Sequence, residues 1–204
     1  MLSDRRKRHD PYYRRAKKER FAARSVFKLE EIDRRFRLLK PGQQVLDLGC
    51  RPGSWLQYAT TRVGPTGHVV GLDRQGHDLE LPANATVVVG DVLTLDPDVL
   101  RRAGAGIEGR VGFHVVLSDM APDTSGVPFA DQARSVELFL RALDLATLLG
   151  RPGGAFVGKV FMGEGFAEAH RKVRDAYAAV KTVRPDATRK ESTELYVVGR
   201  GRGG

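Results

Sequence analysis

Short valine-rich runs, apolar at nearly every position, alternate along the chain with stretches of helical period, and this alternation constrains the fold most. The runs are 44–49 (QVLDLG), 68–73 (HVVGLD), 86–91 (TVVVGD), 113–119 (FHVVLSD) and 155–161 (AFVGKVF), with a weaker one near 180–184 and a last one at 195–199 (LYVVG). Helical spacing is predicted near 54–63, 96–103, 131–149 and 164–179. Ahead of them, Val26, Leu29, Ile32, Phe36 and Leu39 recur at helical intervals until "KPG" at 40–42 ends the pattern. Strands apolar on both faces suit a parallel sheet covered by helices on both sides, and the alternation implies right-handed βαβ units. The fold class is therefore α/β, a doubly wound and mostly parallel sheet, and 204 residues suffice for one such domain.

Several classes are disfavoured. No apolar run approaches the ~20 residues that span a bilayer, and the N-terminus has no apolar signal core. One cysteine, Cys50, leaves no internal disulfide framework and is compatible with a reducing cytoplasm. The five histidines show no metal-ligand spacing, so no metal is expected. A cytoplasmic, membrane-free protein follows as the expectation, with monomer as the default state.

The charge is uneven. Residues 1–40 hold 15 Lys/Arg against 6 Asp/Glu, which accounts for the whole net charge of +9. A basic arm on a neutral body is the footprint of polyanion binding, while a solvated tail is the plainer alternative. Tyr12 and Tyr13 within it could stack on bases or pack on the body. The chain is expected to divide into a basic arm at 1–24, a body at 25–200 and a disordered tail at 201–204; if the arm binds a polyanion, RNA is the candidate.

Asp47, Asp73, Asp91 and Asp119 each fall at or near the carboxyl end of a predicted strand, where open α/β sheets bind ligands. One such aspartate is ordinary; four on successive strands suggest a lined pocket. The loop after the first strand, Asp47-Leu48-Gly49-Cys50-Arg51-Pro52-Gly53, departs from the G-x-G-x-x-G spacing of dinucleotide sites. Its proline removes a backbone donor that a phosphate would use. The spacing favours a nucleoside cofactor without pyrophosphate, with Asp73 placed for ribose hydroxyls and Asp91 for an adenine amino group.

The segments "LDLGCRPGSW", "GLD", "GDV", "LSDMAPDTSG", "GGAFVGKVFMGEGF" and "TRKESTELYVV" stand in the order and at about the spacing of the FtsJ-type ribose 2′-O-methyltransferases. The chain resembles that family from about residue 10 to residue 200. The resemblance implies the seven-stranded methyltransferase sheet of Rossmann-like type with its last strand antiparallel, S-adenosylmethionine as cofactor, and a uridine of 23S rRNA in the large ribosomal subunit as target. It also implies cofactor contacts from Gly49, Gly53, Trp55, Asp73, Asp91 and Asp119, and a catalytic set of Lys28, Asp119, Lys159 and Glu194. Singly, Lys28 could be a solvated helix lysine, Glu194 a strand-edge charge and Trp55 a core aromatic. Lys159 is less ordinary, because a lysine inside "AFVGKVF" is costly to bury without a role.

Methyl transfer to a ribose hydroxyl is an in-line displacement in which positioning supplies much of the acceleration. Lys159 is expected to act as general base or to orient the hydroxyl. Lys28 would add a second positive charge, and Asp119 and Glu194 would orient both ammonium groups. Where the family commonly has D-L-G-A-A-P-G-G-W, this chain has Cys50, Arg51 and Ser54. Arg51 could face solvent, pair with the cofactor carboxylate or crowd the site. Ser54 suits a helix N-cap if its φ is negative and strains the loop if its φ is positive. Two rival readings stand beside the enzyme: a non-catalytic RNA-binding or ribosome-assembly factor on a degenerate methyltransferase fold, and a nicotinamide-dependent oxidoreductase, which the glycine spacing opposes.

Overall fold

The computed structural model describes residues 10–76, 80–105, 112–123 and 125–203. Seven strands form one sheet: β1 Gln44–Leu48, β2 His68–Asp73, β3 Ala85–Val89, β4 Phe113–Ser118, β5 Gly150–Phe161, β6 Tyr177–Val183 and β7 Glu194–Arg202. Their order is β3-β2-β1-β4-β5-β7-β6. The pairs among β1 to β5 are parallel, and β7 runs antiparallel between β5 and β6. The order reverses between β1 and β4, which opens a crevice at the carboxyl ends of those strands.

Among the described residues six helices accompany the sheet: α1 Pro11–Lys18, α2 Val26–Phe36, α3 Ser54–Val63, α4 Pro97–Ala105, α5 Pro128–Leu149 and α6 Phe166–Ala176. Alternate residues of each strand face opposite layers. Leu46, Leu48, Val70 and Leu72 pack with Leu100, Phe139, Leu143 and Val173 of α4, α5 and α6. Val45, Val69, Val115, Leu117, Val157 and Tyr196 pack on the other face with Leu29, Ile32, Trp55 and Leu56 of α2 and α3. Among the described residues no helix is long and apolar enough to cross a membrane.

One expectation is corrected at the C-terminal end. Residues 201 and 202, expected in the disordered tail, continue β7, because β6 starts early enough at Tyr177 to pair with Arg202. The Gly203 N–H then donates to the Ala176 carbonyl at 3.1 Å.

Within the arm, α1 is ordered by its own capping. Asp10 accepts from the N–H groups of Tyr12 and Tyr13, and Pro11 takes the first helical position. The helix docks through Ala16, Tyr12, Phe21, Phe27 and Ala187, and Arg24 pairs with Asp10. Tyr12 lies 5.7 Å from the Phe27 ring, so it packs on the body, while Tyr13 is exposed. Residues 1–9 of the expected arm lie outside the described residues.

Candidate active site

The loop that leaves β1 is fixed by its neighbours. Gly49 adopts φ +74°, and its N–H and that of Cys50 both donate to the Leu72 carbonyl, at 2.8 and 3.1 Å. A side chain at Gly49 would meet Met120 Cγ at 2.5 Å and Met120 Cα at 3.2 Å, so the position takes only glycine. The positive φ at the mouth of α3 falls on Gly53, at +109°, and not on Ser54. Ser54 instead begins the helix, buried, with its Oγ 2.9 Å from Ser25 Oγ. The loop therefore carries no strain at Ser54.

Between this loop and the ends of β2, β3 and β4 lies a cavity of about 540 Å³. Gly49, Asp73, Asp91 and Asp119 line it, together with an apolar set that includes Leu72, Val92, Leu93 and Leu138. Asp73 is held by the N–H groups of Arg51 and Gln75, each at 3.1 Å, and Asp91 accepts from the Leu93 N–H at 3.0 Å. Arg51 lines the cavity and donates its guanidinium to Gln75, at the Asp73 end. Arg74 reaches Asp123 at 3.0 Å across the same mouth.

Two of the residues expected at the cofactor, Gly53 and Trp55, lie outside the lining of this cavity. Trp55 is buried in the core, 5.8 Å from the Tyr196 ring, and its indole N–H donates to the Ser25 carbonyl at 2.9 Å. An aromatic at the start of α3 faces the sheet, and the indole hydrogen bond ties the loop to α2. Asp47 is also absent from the walls. It is fully buried on β1 with neither oxygen hydrogen-bonded, and burial, then the charges of Asp119 and Asp73, push it up to about 8.

The four residues of the expected catalytic set converge at the rim. Lys159 on β5 is 7% exposed, lies 3.0 Å from Asp119 Oδ1 and donates to the Asp119 carbonyl. Lys28 on α2 pairs with Glu194 at the start of β7, both largely buried. Tyr196, which sequence reasoning did not single out, is the cross-strand partner of Lys159, and its hydroxyl donates to Asp119 Oδ1 at 2.6 Å. Lys28 Nζ sits 5.8 Å from the Tyr196 ring. Burial raises the Asp119 pKa, but Lys159, Lys28 and the Tyr196 hydrogen bond outweigh it, leaving Asp119 below the ordinary aspartate value. The Tyr196 phenol is raised well above its ordinary value by burial and then by Asp119 and Glu194. Tyr196 is thus a fixed donor and Asp119 a fixed carboxylate, shared by the cavity and the cluster.

The sequence that builds this cavity and cluster matches a known family. The model of the FtsJ-like methyltransferases matches residues 21–202. The chain belongs to the FtsJ-like methyltransferase family. It is 49% identical over 193 residues to the ribosomal RNA large subunit methyltransferase E of Sorangium cellulosum, covering 95% of this chain and 88% of that one. The fold resembles a Plasmodium falciparum structure assigned as a ribosomal RNA methyltransferase, with TM-score 0.78 and 23% identity over 90% of this chain and all of the other. It also resembles human methyltransferase-like protein 13 bound to SAH, with TM-score 0.52 and 14% identity, covering 78% of this chain and 72% of that one. This FtsJ-like methyltransferase has a second hollow, of about 260 Å³, on the far side of the Lys28–Glu194 pair, lined by Arg24, Ser25, Arg189 and Ser192.

The cavity suits S-adenosylmethionine better than a phosphate-bearing cofactor. Its walls carry Asp73, Asp91, Asp119, Asp123 and Glu137 against Arg51, Arg74 and Arg134, an acidic surplus that favours a cation and repels pyrophosphate. Among the described residues no cluster of His, Cys, Asp and Glu could hold a metal ion.

Proposed function

We propose that this methyltransferase transfers a methyl group to a ribose 2′-hydroxyl of large-subunit ribosomal RNA, a uridine of 23S rRNA being the expected target. The observation that carries the reading is the Lys159–Asp119–Tyr196 cluster standing at the rim of the acidic cavity, with Asp119 common to both. Asp73 and Asp91 would hold the nucleoside part of S-adenosylmethionine and Gly49 its approach to the loop. When bound, the cofactor supplies an electrophilic methyl group on a sulfonium.

The residues divide the remaining tasks. Lys159 has three N–H directions, of which two are committed to the Asp119 side chain and carbonyl. The third is left for the incoming hydroxyl oxygen. An ammonium held there orients the attacking lone pair and stabilises negative charge as it develops on oxygen. Asp119 and Tyr196 fix Lys159 before substrate arrives, so little reorganisation opposes the reaction. The hydroxyl proton passes to Asp119 or to water as the oxygen attacks, and the partial negative charge this leaves on oxygen is what Lys159 stabilises. Lys28, itself oriented by Glu194, extends the positive field beside Tyr196.

RNA phosphates would take the basic side. Burial, then the neighbouring charge of Arg189, hold Arg24 below the ordinary arginine value, a repulsion that an anion in the hollow between them relieves. Such contacts give affinity without sequence information, and the exposed basic side chains of α1 extend them. The reading implies a cytoplasmic, monomeric enzyme acting on RNA.

The test is transfer of labelled methyl from S-adenosylmethionine to large-subunit rRNA, mapped by resistance of the adjacent phosphodiester to alkaline cleavage. A resistant uridine is the expected result. Label on a base, or RNA binding without label, would replace this reading, the latter by an assembly factor.

A further inference from the structure

Just past the end of β5 and at the start of α5 stand two exposed apolar side chains that no task above employs. Met162 follows β5, three residues after Lys159, and is 55% exposed; Phe129 lies in the first turn of α5 and is 65% exposed. Met162 is tied to the cluster through its backbone, since its N–H donates to the carbonyl of Thr193, next to Glu194, at 2.8 Å.

The start of α5 is fixed against the same loop. The Gln132 carboxamide lies on Gly163, where any side chain would collide with it, and Val136 lies on Gly165. The Phe161 N–H donates to Ser135 Oγ at 3.0 Å. Phe129 and Gln132 are one helical turn apart and share a face. Phe129 is thereby held beside the segment that carries Met162, and neither side chain is drawn into the core.

We propose that Phe129 and Met162 form the seat of the nucleobase belonging to the nucleotide that is methylated. The inference rests on the function proposed above. A base and a 2′-hydroxyl hang from adjacent carbons of one ribose ring, so a hydroxyl at Lys159 brings its base within about one ring's width of the cluster. The base must leave its stack for that hydroxyl to reach a recessed lysine. On one side of Lys159 lies the cofactor cavity, and beyond Lys28 lie the guanidinium groups of Arg24 and Arg189, which suit phosphate. On the side of Met162 and Phe129 two exposed apolar side chains stand among Gln132 and the exposed Glu164. Aromatic rings and polarisable sulfur both stack on a heterocycle. Stacking is tolerant of base identity, so this seat supplies affinity and placement and does not select uracil.

The test uses the full chain and large-subunit rRNA transcribed with 5-iodouridine, irradiated in complex and mapped by mass spectrometry. The seat predicts a crosslink at Phe129 or Met162 that is lost in Phe129→Ala/Met162→Ala. The same double variant should lose about tenfold or more in kcat/KM for RNA, the loss of one stacked base, while binding S-adenosylmethionine as the wild type does. Phe129→Tyr and Met162→Leu should each restore transfer. Crosslinks confined to other residues, wild-type kcat/KM in the double variant, or parallel loss of cofactor affinity would each overturn the seat. A crosslink at Phe129 or Met162 without methyl transfer by the wild type rejects the proposed reaction and leaves only a base-binding surface; transfer without a crosslink at either residue keeps the reaction and overturns the seat.

Discussion

Tyr196 donates its phenolic hydrogen to Asp119 Oδ1 across 2.6 Å, and Lys159 approaches the same oxygen to 3.0 Å. The antiparallel last strand thus reaches over β5 to hold the carboxylate that anchors the lysine. Because Tyr196 and Lys159 are register partners across the β5–β7 ladder, the sheet itself sets this triangle. A change in strand register would separate all three groups.

Tyr196→Phe removes one hydrogen bond to a charged acceptor and preserves the packing. A bond of that kind is worth about 1.5–3 kcal/mol, so kcat/KM should fall roughly ten- to hundredfold. The hydrogen bond is one of the influences holding Asp119 below the ordinary aspartate value. Its loss should therefore move the acid limb of the pH–rate profile to higher pH. An unmoved limb with a reduced rate would mean that the hydroxyl positions the cluster without setting the titration of Asp119.

Gly49→Ala places a methyl group against Met120 at a backbone φ of +74°. The left-handed conformation alone costs about 1–2 kcal/mol for a residue with a Cβ. The variant should fold with a lowered Tm and bind S-adenosylmethionine about tenfold more weakly by calorimetry, since the same movement narrows the cavity. Unchanged affinity would remove the loop from the cofactor site.

Asp47 makes the folded state pH-sensitive in a direction opposite to Asp119. Its pKa is about 8 in the fold and about 4 in an unfolded chain. A raised carboxyl contributes its full stability below the unfolded value and loses it as pH rises toward 8. Wild type should therefore lose stability relative to Asp47→Asn between about pH 4 and pH 8, by at most ~1.4 kcal/mol per pH unit, and then level off. Urea unfolding of the two proteins at several pH values measures this difference directly. A difference independent of pH would mean that Asp47 is ionised in the fold.

Most of the fold was legible in the sequence because the central strands are apolar on both faces. The outer strand β6 was harder: only its end residues Tyr177 and Val183 are buried, so its periodicity is weak. The helix in the arm was missed although Asp10 and Pro11 mark its start, because its exposed, highly charged face reads as a tail. Lys28, Asp119, Lys159 and Glu194 could be placed by resemblance and do converge. Tyr196 could not be found, since a tyrosine inside "ELYVV" looks like core packing, and its ring is indeed packed there. Trp55 stands beside the cofactor loop in sequence, and its side chain packs against Tyr196 in the core. Ser54 raised a fear of strain that Gly53 absorbs, one residue earlier.

The central claim is that Lys159 acts on a ribose hydroxyl beside the cofactor cavity. The most direct measurement compares wild type with Lys159→Ala for methyl transfer to large ribosomal subunits and to their RNA, alongside cofactor binding by calorimetry. The account predicts a 2′-O-methylated uridine with wild type only, and equal S-adenosylmethionine affinity in both proteins. Transfer by Lys159→Ala at the wild-type rate, with the cofactor bound, would contradict it.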